Sequence, residues 1–311
     1  MDIELARTFL QVADSGNFHA AAQRLHVTQS AVSLRIRRLE DLLGVSLFNR
    51  SKAGAQLTSA GEQFDRFARS MLRVWEEARY QVSVPEGYSE TLIIGSQYSL
   101  WPGFGLRWLR LLERMLPEVA FRAEIGMPDR LTRMMLEGAL DIGLMYTPQI
   151  RPGLRAELLF EDQLVLVGPD VDYPETLDDR YVFIDWGSEF VAAHKSAFPE
   201  FRASRTTLGI GSMALEYIVD HKRAAYFPAR IVEDQLEAHS LSIIPHAPVF
   251  PFPAWCVWQT EKEMDSIETA IELLRRVAAK VDEDQEEIIE EVAAEAAALE
   301  EAAALEEEAS A

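Results

Sequence analysis

Near the N-terminus, apolar residues recur at helical spacing in two short segments that a tight turn separates. The first segment forms a compact apolar face around Leu25, the turn falls at His26 and Val27, and Thr28 is a candidate N-cap for the second segment. The second segment runs from Thr28 to Leu43, and its apolar positions are Ala31, Val32, Ile36, Leu39, Leu42 and Leu43. The spacing predicts a helix-turn-helix.

The opposite face of the second segment is polar and cationic, with Gln29, Ser30, Ser33, Arg35, Arg37 and Arg38. Hydrogen-bonding side chains near a helix start, together with cations further along, suit a helix that enters the major groove of DNA. We expect base contacts from Gln29, Ser30 and Ser33, and either a guanine or a phosphate contact from Arg35. Backbone amides near Thr28 are candidates to hold a phosphate. The alternative is an amphipathic helix with an ordinary solvated face.

A two-stranded wing and a long helix are predicted next. The segment Leu47–Leu57 forms the wing, with Gly54 and Ala55 at its tip and Arg50 and Lys52 directed toward the DNA backbone or minor groove. The predicted DNA-binding set is therefore Thr28, Gln29, Ser30, Ser33, Arg35, Arg38, Arg50 and Lys52.

Ser59 and Glu62 have the spacing of a capping box, so we expect a helix to begin there. A heptad-like apolar seam comes next, made by Phe64, Phe67, Met71, Val74, Trp75 and Ala78. The seam predicts a dimerisation helix; the alternative is a helix packed on its own domain. Residues 85–88 end the helix as a hinge.

From Thr91 onward, strand and helix patterns alternate. The strand candidates are Thr91–Gly95, Val119–Ile125, Leu140–Met145, Leu164–Gly168, Tyr181–Asp185, Thr206–Ile210, Ala224–Pro228 and Ala254–Trp258. The helix candidates are Leu106–Leu116, Arg130–Glu137, Ala214–Val219 and Asp265–Lys280. This order predicts two α/β subdomains with a cleft between them, approximately residues 89–165 with 254–281 and residues 166–253.

Ligands of open α/β sheets bind beyond the carboxyl ends of strands, so the loops there are candidate binding residues. They are Gln97, Tyr98, Ser99, Leu100, Trp101, Met145, Tyr146, Trp186, Ser212, Met213 and Phe227. These side chains are aromatic or hydroxylic, without an obvious arginine clamp, which favours a small amphipathic ligand. For each aromatic taken alone, core packing is an equally good interpretation.

Charge and composition narrow the class of protein. The chain has 311 residues, which predicts two or three domains, and a net charge of −21. Residues 282–311 hold 13 acidic residues and no Lys or Arg, so much of that charge lies in an acidic Ala/Glu-rich tail. The basic patch around residues 24–52 is sufficient for DNA binding, because counterion release depends on cations near the phosphates. The tail is interpreted as a solubilising helix or, alternatively, as a competitor of DNA.

The remaining composition argues against membrane, metal and catalytic functions. No run approaches 18 apolar residues, so we expect neither a signal peptide nor a membrane span. The single Cys256 suggests a reducing cytoplasm and a buried thiol. Without a phosphate loop, a nucleophile elbow or metal-ligand spacing, an enzyme is disfavoured and no cofactor or metal is expected. A sensor that acts only through protein partners and an architectural DNA binder remain as rival classes.

The N-terminal pattern resembles the winged helix-turn-helix of LysR-type transcriptional regulators. The likeness rests on Phe9–Val12, Ser15–Phe18, Ala21, Ala22, Leu25, Thr28–Ser33, Ile36, Leu39, Glu40, Leu43, Gly44, Leu47, Phe48, Arg50 and Leu57–Gly61. The runs Ser99–Trp101 and Asp185–Gly187 further resemble the branch of the family that contains the repressor HdfR.

The resemblance implies an α/β protein with a winged helix-turn-helix head at 1–58 and a linker helix and hinge at 59–88. An effector-binding domain of the periplasmic-binding-protein type then spans 89–281, where Ser99 holds the position of a hydroxyl that contacts the effector. It also implies promoter DNA, a small-molecule effector, a homodimer or homotetramer, and RNA polymerase as partners if the protein activates transcription. Fewer cations are present in the wing than is usual in the family, which implies a weaker wing contact.

Overall fold

The computed structural model describes residues 2–51, 54–82, 84–170, 176–260, 262 and 264–284. The described residues divide into two compact units. One unit contains the chain up to residue 93 together with 118–122 and 132–141, and the other contains the rest. The acidic tail at residues 282–311, for which two functions were predicted, lies outside the described residues except for residues 282–284.

The head consists of helices and a two-stranded wing. Its elements are α1 (Ile3–Ser15), α2 (Phe18–Arg24), α3 (Gln29–Leu43), β1 (Phe48–Ser51) and β2 (Gly54–Leu57), and the long helix α4 (Ser59–Gln81) comes after them. Side chains cap the helix starts, because the first backbone amides of a helix lack partners within it. Asp2 accepts from the amide of Glu4, and Asn17 accepts from those of His19 and Ala20.

The predicted turn and cap before α3 are confirmed. Thr28 Oγ1 accepts a hydrogen bond from the amide of Ala31 at 3.2 Å, and Gly44 ends the helix in the left-handed conformation. Val32, Ile36 and Leu39 are fully buried, whereas Leu42 and Leu43 are 61% and 41% exposed. The predicted apolar face of α3 was therefore too wide at its C-terminal end.

The head core is built around Phe9 of α1. Its ring lies 5.2 Å from that of Phe48 and 4.9 Å from that of Phe64, the latter edge to face. Such geometry is favourable for aromatic pairs. Because Phe64 comes from α4, this contact joins the start of the long helix to the head.

Two predictions about local structure in the head are wrong. Ala55 is not at the wing tip but lies in β2 and pairs with Arg50, whereas Gly54 forms the last described pair of the wing with Ser51. A Cβ on Gly54 would lie 2.6 Å from the carbonyl oxygen of Gly16, so a side chain at position 54 would displace the backbone. The cap of α4 is Thr58, whose Oγ1 accepts from the amide of Gly61, and not the Ser59–Glu62 pair.

The C-terminal part is built on one mixed sheet of seven strands, which are β3 (Glu90–Ser96), β4 (Val119–Ile125), β5 (Ile142–Met145), β6 (Leu154–Gly168), β9 (Ala225–Pro228), β10 (Ser242–Ile243) and β11 (Phe250–Gln259). In this sheet β10, β6, β11, β5, β3 and β4 lie side by side, and β9 also pairs with β6. A second, two-stranded sheet joins β7 (Phe183–Ile184) to β8 (Thr207–Leu208). The helices are α5 (Leu106–Met115), α6 (Pro128–Leu136), α7 (Ser188–Ala197), α8 (Leu215–Asp220), α9 (Ala229–Glu237) and α10 (residues 265–284).

The order of strands and helices agrees with the α/β prediction, with three differences. Strand β6 begins at Leu154, not Leu164, and its residues 154–164 pair antiparallel with β11. Strand β9 pairs with β6, and the predicted segments Tyr181–Asp185 and Ala224–Pro228 pair through an isolated parallel bridge between Tyr181 and Ala224. Helices α7 and α9 and strand β10 were not predicted. Cys256 is buried in β11, and burial raises the pKa of its thiol.

Candidate functional site

The outward face of α3 is the first candidate site. Ser30, Leu34, Arg37 and Arg38 are all exposed and lie one and two helical turns apart, on the side opposite Val32, Ile36 and Leu39. Gln29 is exposed at the helix start and Ser33 is half-buried at the flank. This face presents hydroxyl, amide, apolar and cationic groups, which match the kinds of group that the major groove offers.

Thr28 and Ser30 at the start of α3 contact each other. Their hydroxyl oxygens lie 2.9 Å apart, while Thr28 Oγ1 also accepts from the amide of Ala31. Thr28 therefore positions the helix start and the side chain of Ser30.

Arg35 is held against α1. Its Nη1 donates to Thr8 Oγ1 at 3.3 Å and lies 3.5 Å from Glu4 Oε2. Glu4 in turn accepts from Arg7. This geometry favours a role for Arg35 in fixing α3 on α1 over the guanine or phosphate contact expected from the sequence.

Glu40 connects α3 to the wing. Its Oε1 accepts hydrogen bonds from the backbone amides of Leu47 at 2.8 Å and Phe48 at 3.3 Å. The wing therefore begins at a position that the helix determines. Of the predicted wing cations, Lys52 and the side chain of Arg50 lie outside the described residues.

Helix α4 has two apolar faces. Phe64, Ala68 and Leu72 are buried in the head of the same chain, so Phe64 is not available to a dimer seam. The exposed face includes Phe67 at 65% and Val74 at 62%, accompanied by the exposed Trp75 and Ala78. Met71 of the predicted seam is half-buried and packs against the core of the head. Glu76 lies one turn beyond Leu72 on the buried face and binds Arg7 and Arg79 at 3.0 and 2.8 Å.

The second candidate site is a buried polar cluster in the C-terminal part, which we call the Arg230 cluster. Its members are Arg230, Asp162, Tyr146 and the backbone carbonyls of Ser99 and Pro102. Arg230 donates to both carboxylate oxygens of Asp162 at 2.8–3.1 Å, to Tyr146 Oη and the Ser99 carbonyl at 2.7 Å, and to the Pro102 carbonyl at 3.0 Å.

The cluster is charge-balanced. Burial lowers the pKa of Arg230, but the contacts with Asp162 and Tyr146 outweigh burial and hold that pKa above its ordinary value. Burial raises the pKa of Tyr146, whose hydroxyl donates to Asp162 Oδ2 at 2.7 Å. Arg230 is therefore a permanent cation whose charge Asp162 neutralises.

Ser99 and Ser212 meet directly beside this cluster. Ser99 Oγ accepts from the backbone amide of Ser212 at 3.1 Å. Gly211 allows the approach: it has a φ of +54°, and a Cβ there would lie 2.7 Å from Ser99 Oγ and 3.5 Å from the ring of Trp186. The side-chain hydroxyl of Ser212 is buried and has no hydrogen-bond partner among the described residues.

Several aromatic side chains pack around Trp186, next to the contact between Ser99 and Ser212. The ring of Trp186 lies 6.0 Å from Phe227 and 5.7 Å from Phe252, and Phe252 stacks on Tyr146 at 3.8 Å. Trp186 Nε1 donates to the carbonyl of Tyr226. The predicted residues Ser99, Tyr146, Trp186, Ser212 and Phe227 are thus linked by direct contacts to one another or to Phe252.

The other predicted cleft residues are placed differently. Leu100 and Met145 are fully buried and belong to the hydrophobic core. Trp101 donates through Nε1 to the carbonyl of Glu124, and Gln97 Oε1 accepts from the amide of Tyr146, so both hold loops in place. Tyr98 and Met213, in contrast, are 43% and 55% exposed.

Sequence reasoning missed Arg230, Asp162 and Phe252. Asp162 lies in β6 between the polar residues Glu161 and Gln163, so its burial could not be distinguished in the sequence from an ordinary exposed position. Arg230 lies in helix α9, which was itself not predicted.

Metal ligation and membrane insertion find no support in the described residues. No group of three His, Cys, Asp or Glu side chains there is placed to hold a metal ion. Among the helices built from those residues, none combines the length and the apolar character that crossing a membrane requires.

Comparison with known proteins identifies both parts of the chain. Residues 3–62 match the family model for the bacterial regulatory helix-turn-helix protein of the lysR family, and residues 85–279 match the LysR substrate binding domain. The transcriptional regulator HdfR of Yersinia pestis (strain Pestoides F) is 29% identical over 278 residues, which cover 86% of this chain and 94% of HdfR.

Solved structures show the same fold. A full-length variant of OxyR from Pseudomonas aeruginosa aligns with a TM-score of 0.54 at 22% identity, covering 89% of this chain and 94% of OxyR. DarR from Vibrio fischeri, solved in complex with DNA, aligns with a TM-score of 0.54 at 20% identity, covering 88% of this chain and 98% of DarR. The chain belongs to the LysR family of bacterial transcriptional regulators, with a helix-turn-helix DNA-binding domain and an effector-binding domain.

Proposed function

We propose that the outward face of α3 reads the bases of a specific operator in the major groove. The observation that carries this proposal is the exposed stripe of Ser30, Leu34, Arg37 and Arg38 on the helix after the turn. Gln29, Ser30 and Ser33 supply hydrogen bonds to base edges, and Arg38 supplies a phosphate contact. Arg50 and Lys52 of the wing add contacts to the DNA backbone.

The test begins with selection of a binding site from random duplex DNA by the full-length protein. Fluorescence anisotropy then compares the selected site with a scrambled site across a range of salt concentrations. We expect Ser33→Ala to weaken binding to the selected site mainly, because it removes a base contact. We expect Arg38→Ala to weaken binding to both sites and to reduce the salt slope by about 1.

Arg276→Ala is the matched control, because this side chain is 65% exposed on α10 and pairs with Glu272. Its binding should equal that of the unmodified protein. Equal affinity of the unmodified protein for selected and scrambled DNA would overturn sequence-specific reading and favour an architectural function.

We further propose that a small molecule binds beside Ser99, Trp186 and Ser212 and alters DNA binding or its geometry. The hydroxyl of Ser212 supports this proposal, since it is buried without a hydrogen-bond partner among the described residues and a buried polar atom ordinarily has one. The charge of Arg230 is already neutralised by Asp162, which favours a polar or weakly charged ligand over a multiply anionic one. Tyr98 and Met213 are the exposed members of the predicted set, so we place the entrance of the proposed site beside them.

A thermal-shift screen of small aromatic and hydroxylated metabolites tests the effector proposal. A ligand of this site should raise the melting temperature of the unmodified protein and change its DNA affinity. Ser212→Ala should reduce the shift, whereas Ser240→Ala, a change of an exposed serine, should not. A ligand whose effect is the same in both variants would contradict this location.

The exposed face of α4 supports a dimer. We propose that Phe67, Val74, Trp75 and Ala78, together with the part of Met71 that the head core leaves exposed, pair with the same face of a second chain, because an apolar face of this kind is otherwise left in water. We also propose a homotetramer and the domain limits 1–58, 59–88, 89–281 and 282–311. If the protein activates transcription, we propose that it also contacts RNA polymerase. A regulator of this family acts at the chromosome, so we place it in the cytoplasm.

A further inference from the structure

Leu34 occupies the centre of the outward face of α3. It is 67% exposed and lies one helical turn from both Ser30 and Arg38. Val32, Ile36 and Leu39 on the opposite side of the helix pack into the core of the head. A large apolar side chain at this point therefore contributes little to the packing of its own domain.

The charges around Leu34 determine what can cover it. Arg37 and Arg38 come after it on the same exposed side, and covering Leu34 with an apolar protein surface would also bury these cations in apolar surroundings. Double-stranded DNA avoids that cost, because its phosphates neutralise the arginines while base edges face the helix.

The neighbouring Arg35 does not compete for this position. Its guanidinium is directed to α1, where it contacts Thr8 and Glu4 at 3.3 and 3.5 Å. The side chain that points most directly away from the head between Ser30 and Arg37 is therefore apolar, with no hydrogen bond to offer.

The major groove contains one apolar group that distinguishes the bases. The edges of guanine, adenine and cytosine present hydrogen-bond donors or acceptors, and thymine adds a C5-methyl group. A leucine placed against a polar edge would leave that edge without its water, which is unfavourable. A leucine placed against the methyl group buries apolar surface on both partners.

We propose that Leu34 reads the C5-methyl group of a thymine in each operator half-site. The proposal rests on the proposed base reading by α3 and names one base and one atom within it. It makes Leu34 a specificity-determining residue, in addition to the polar side chains expected from the sequence.

The experiment removes the methyl group from the DNA and the side chain from the protein. Each thymine of the selected site is replaced in turn by deoxyuridine, which lacks only the C5-methyl group. For the unmodified full-length protein, we expect a loss of about three- to fivefold in affinity at one position of each half-site, the effect of one buried methyl group.

The variant Leu34→Ala should bind the thymine-containing site more weakly than the unmodified protein does. At the same position it should bind thymine and deoxyuridine equally, because the leucine that contacted the methyl group is gone. Leu42→Ala is the matched control: Leu42 is 61% exposed on the same helix but lies two turns further along, so its variant should keep the deoxyuridine penalty. Replacing the critical thymine by 5-methylcytosine paired with guanine should retain part of the affinity that cytosine loses.

Two failures can be told apart. If the unmodified protein prefers its selected site but no deoxyuridine lowers its affinity, or if Leu34→Ala keeps the same penalty, the assignment of Leu34 is wrong while operator reading stands. If the unmodified protein binds selected and scrambled DNA equally, operator reading fails and the assignment fails with it. Leu34 is exposed, so the variant should fold, and an unchanged melting temperature verifies this.

Discussion

Arg230 and Asp162 form a buried bidentate ion pair, with Nε of the arginine 2.8 and 3.1 Å from the two carboxylate oxygens and Nη2 3.0 Å from one of them. The side chain of Arg230 is 7% exposed and that of Asp162 is fully buried. The same guanidinium also binds the carbonyls of Ser99 and Pro102. The pair therefore joins strand β6 and helix α9 to the loop in which the proposed effector contact Ser99 lies.

Removing one partner of this pair should destabilise the C-terminal part strongly. Arg230→Met leaves the carboxylate of Asp162 buried without its cation, at a cost of about 3–5 kcal/mol. Urea unfolding monitored by far-UV circular dichroism measures the effect. Arg275→Met is the control, because Arg275 and Glu157 form an exposed pair whose loss should cost less than about 1 kcal/mol.

The double variant Arg230→Met with Asp162→Leu separates charge from packing. It should recover much of the stability lost in Arg230→Met, since no unpaired charge remains. If Arg230→Met alone unfolds at the same urea concentration as the unmodified protein, the pair does not carry the stability assigned to it.

Stability should fall in mild acid because of His194. This side chain is buried among aromatic rings with Nε2 2.8 Å from Tyr181 Oη, and burial lowers its pKa from 6.5 to about 4. Between those values the unfolded chain binds a proton that the folded chain does not, so the free energy of unfolding decreases as pH falls from about 6.5 to about 4. The decrease should amount to about 2–3 kcal/mol at most.

Urea unfolding at a series of pH values tests this expectation. His194→Phe should remove much of the decrease between pH 6.5 and 4, although loss of the bond to Tyr181 will lower stability at neutral pH. His246→Gln, which changes an exposed histidine, should keep the decrease. The role of His194 is refuted if His194→Phe and His246→Gln show the same pH dependence.

Glu40 should contribute to DNA affinity although it is acidic and lies on α3. Its carboxylate accepts the amides of Leu47 and Phe48 and so positions the first strand of the wing. Glu40→Ala leaves these amides without that acceptor and should destabilise the head by about 1–3 kcal/mol. Anisotropy at a temperature where the variant is folded should show weaker DNA binding.

Asp41→Ala is the matched control for Glu40, because it removes an exposed negative charge from the adjacent position. It should bind DNA as well as the unmodified protein or slightly better, since a charge that repels phosphate is gone. Stronger binding by Glu40→Ala would show that its charge matters more than its hydrogen bonds.

The oligomeric state should depend on the exposed face of α4. Val74→Glu places a charge on the proposed seam and should shift the protein from dimer to monomer in sedimentation equilibrium, because a buried unpaired carboxylate is unfavourable. Val45→Glu changes an exposed apolar residue of the head and should leave the dimer intact. A Val74→Glu variant that remains a dimer would place the dimer interface elsewhere.

The local sequence by itself determined the limits of individual helices and strands and indicated the protein family. The caps at Thr28 and Gly44 and the spacing of Val32, Ile36 and Leu39 define α3, because helix limits and periodicity depend on neighbouring residues. Strand β4 was predicted with its observed limits for the same reason. The long motif from α1 to the wing also indicated the family.

The tertiary structure decided what distant residues do to one another. Arg35 was expected at the DNA, but Glu4 and Thr8 hold it on α1, and no local pattern encodes that contact. Phe64 has the right spacing for a dimer seam, yet it packs on Phe9 in the head. A helical repeat reports that a face is apolar, and only the packed chain shows which partner that face meets. For the same reason the pairing of Asp162 with Arg230, 68 residues apart, emerged only from the fold.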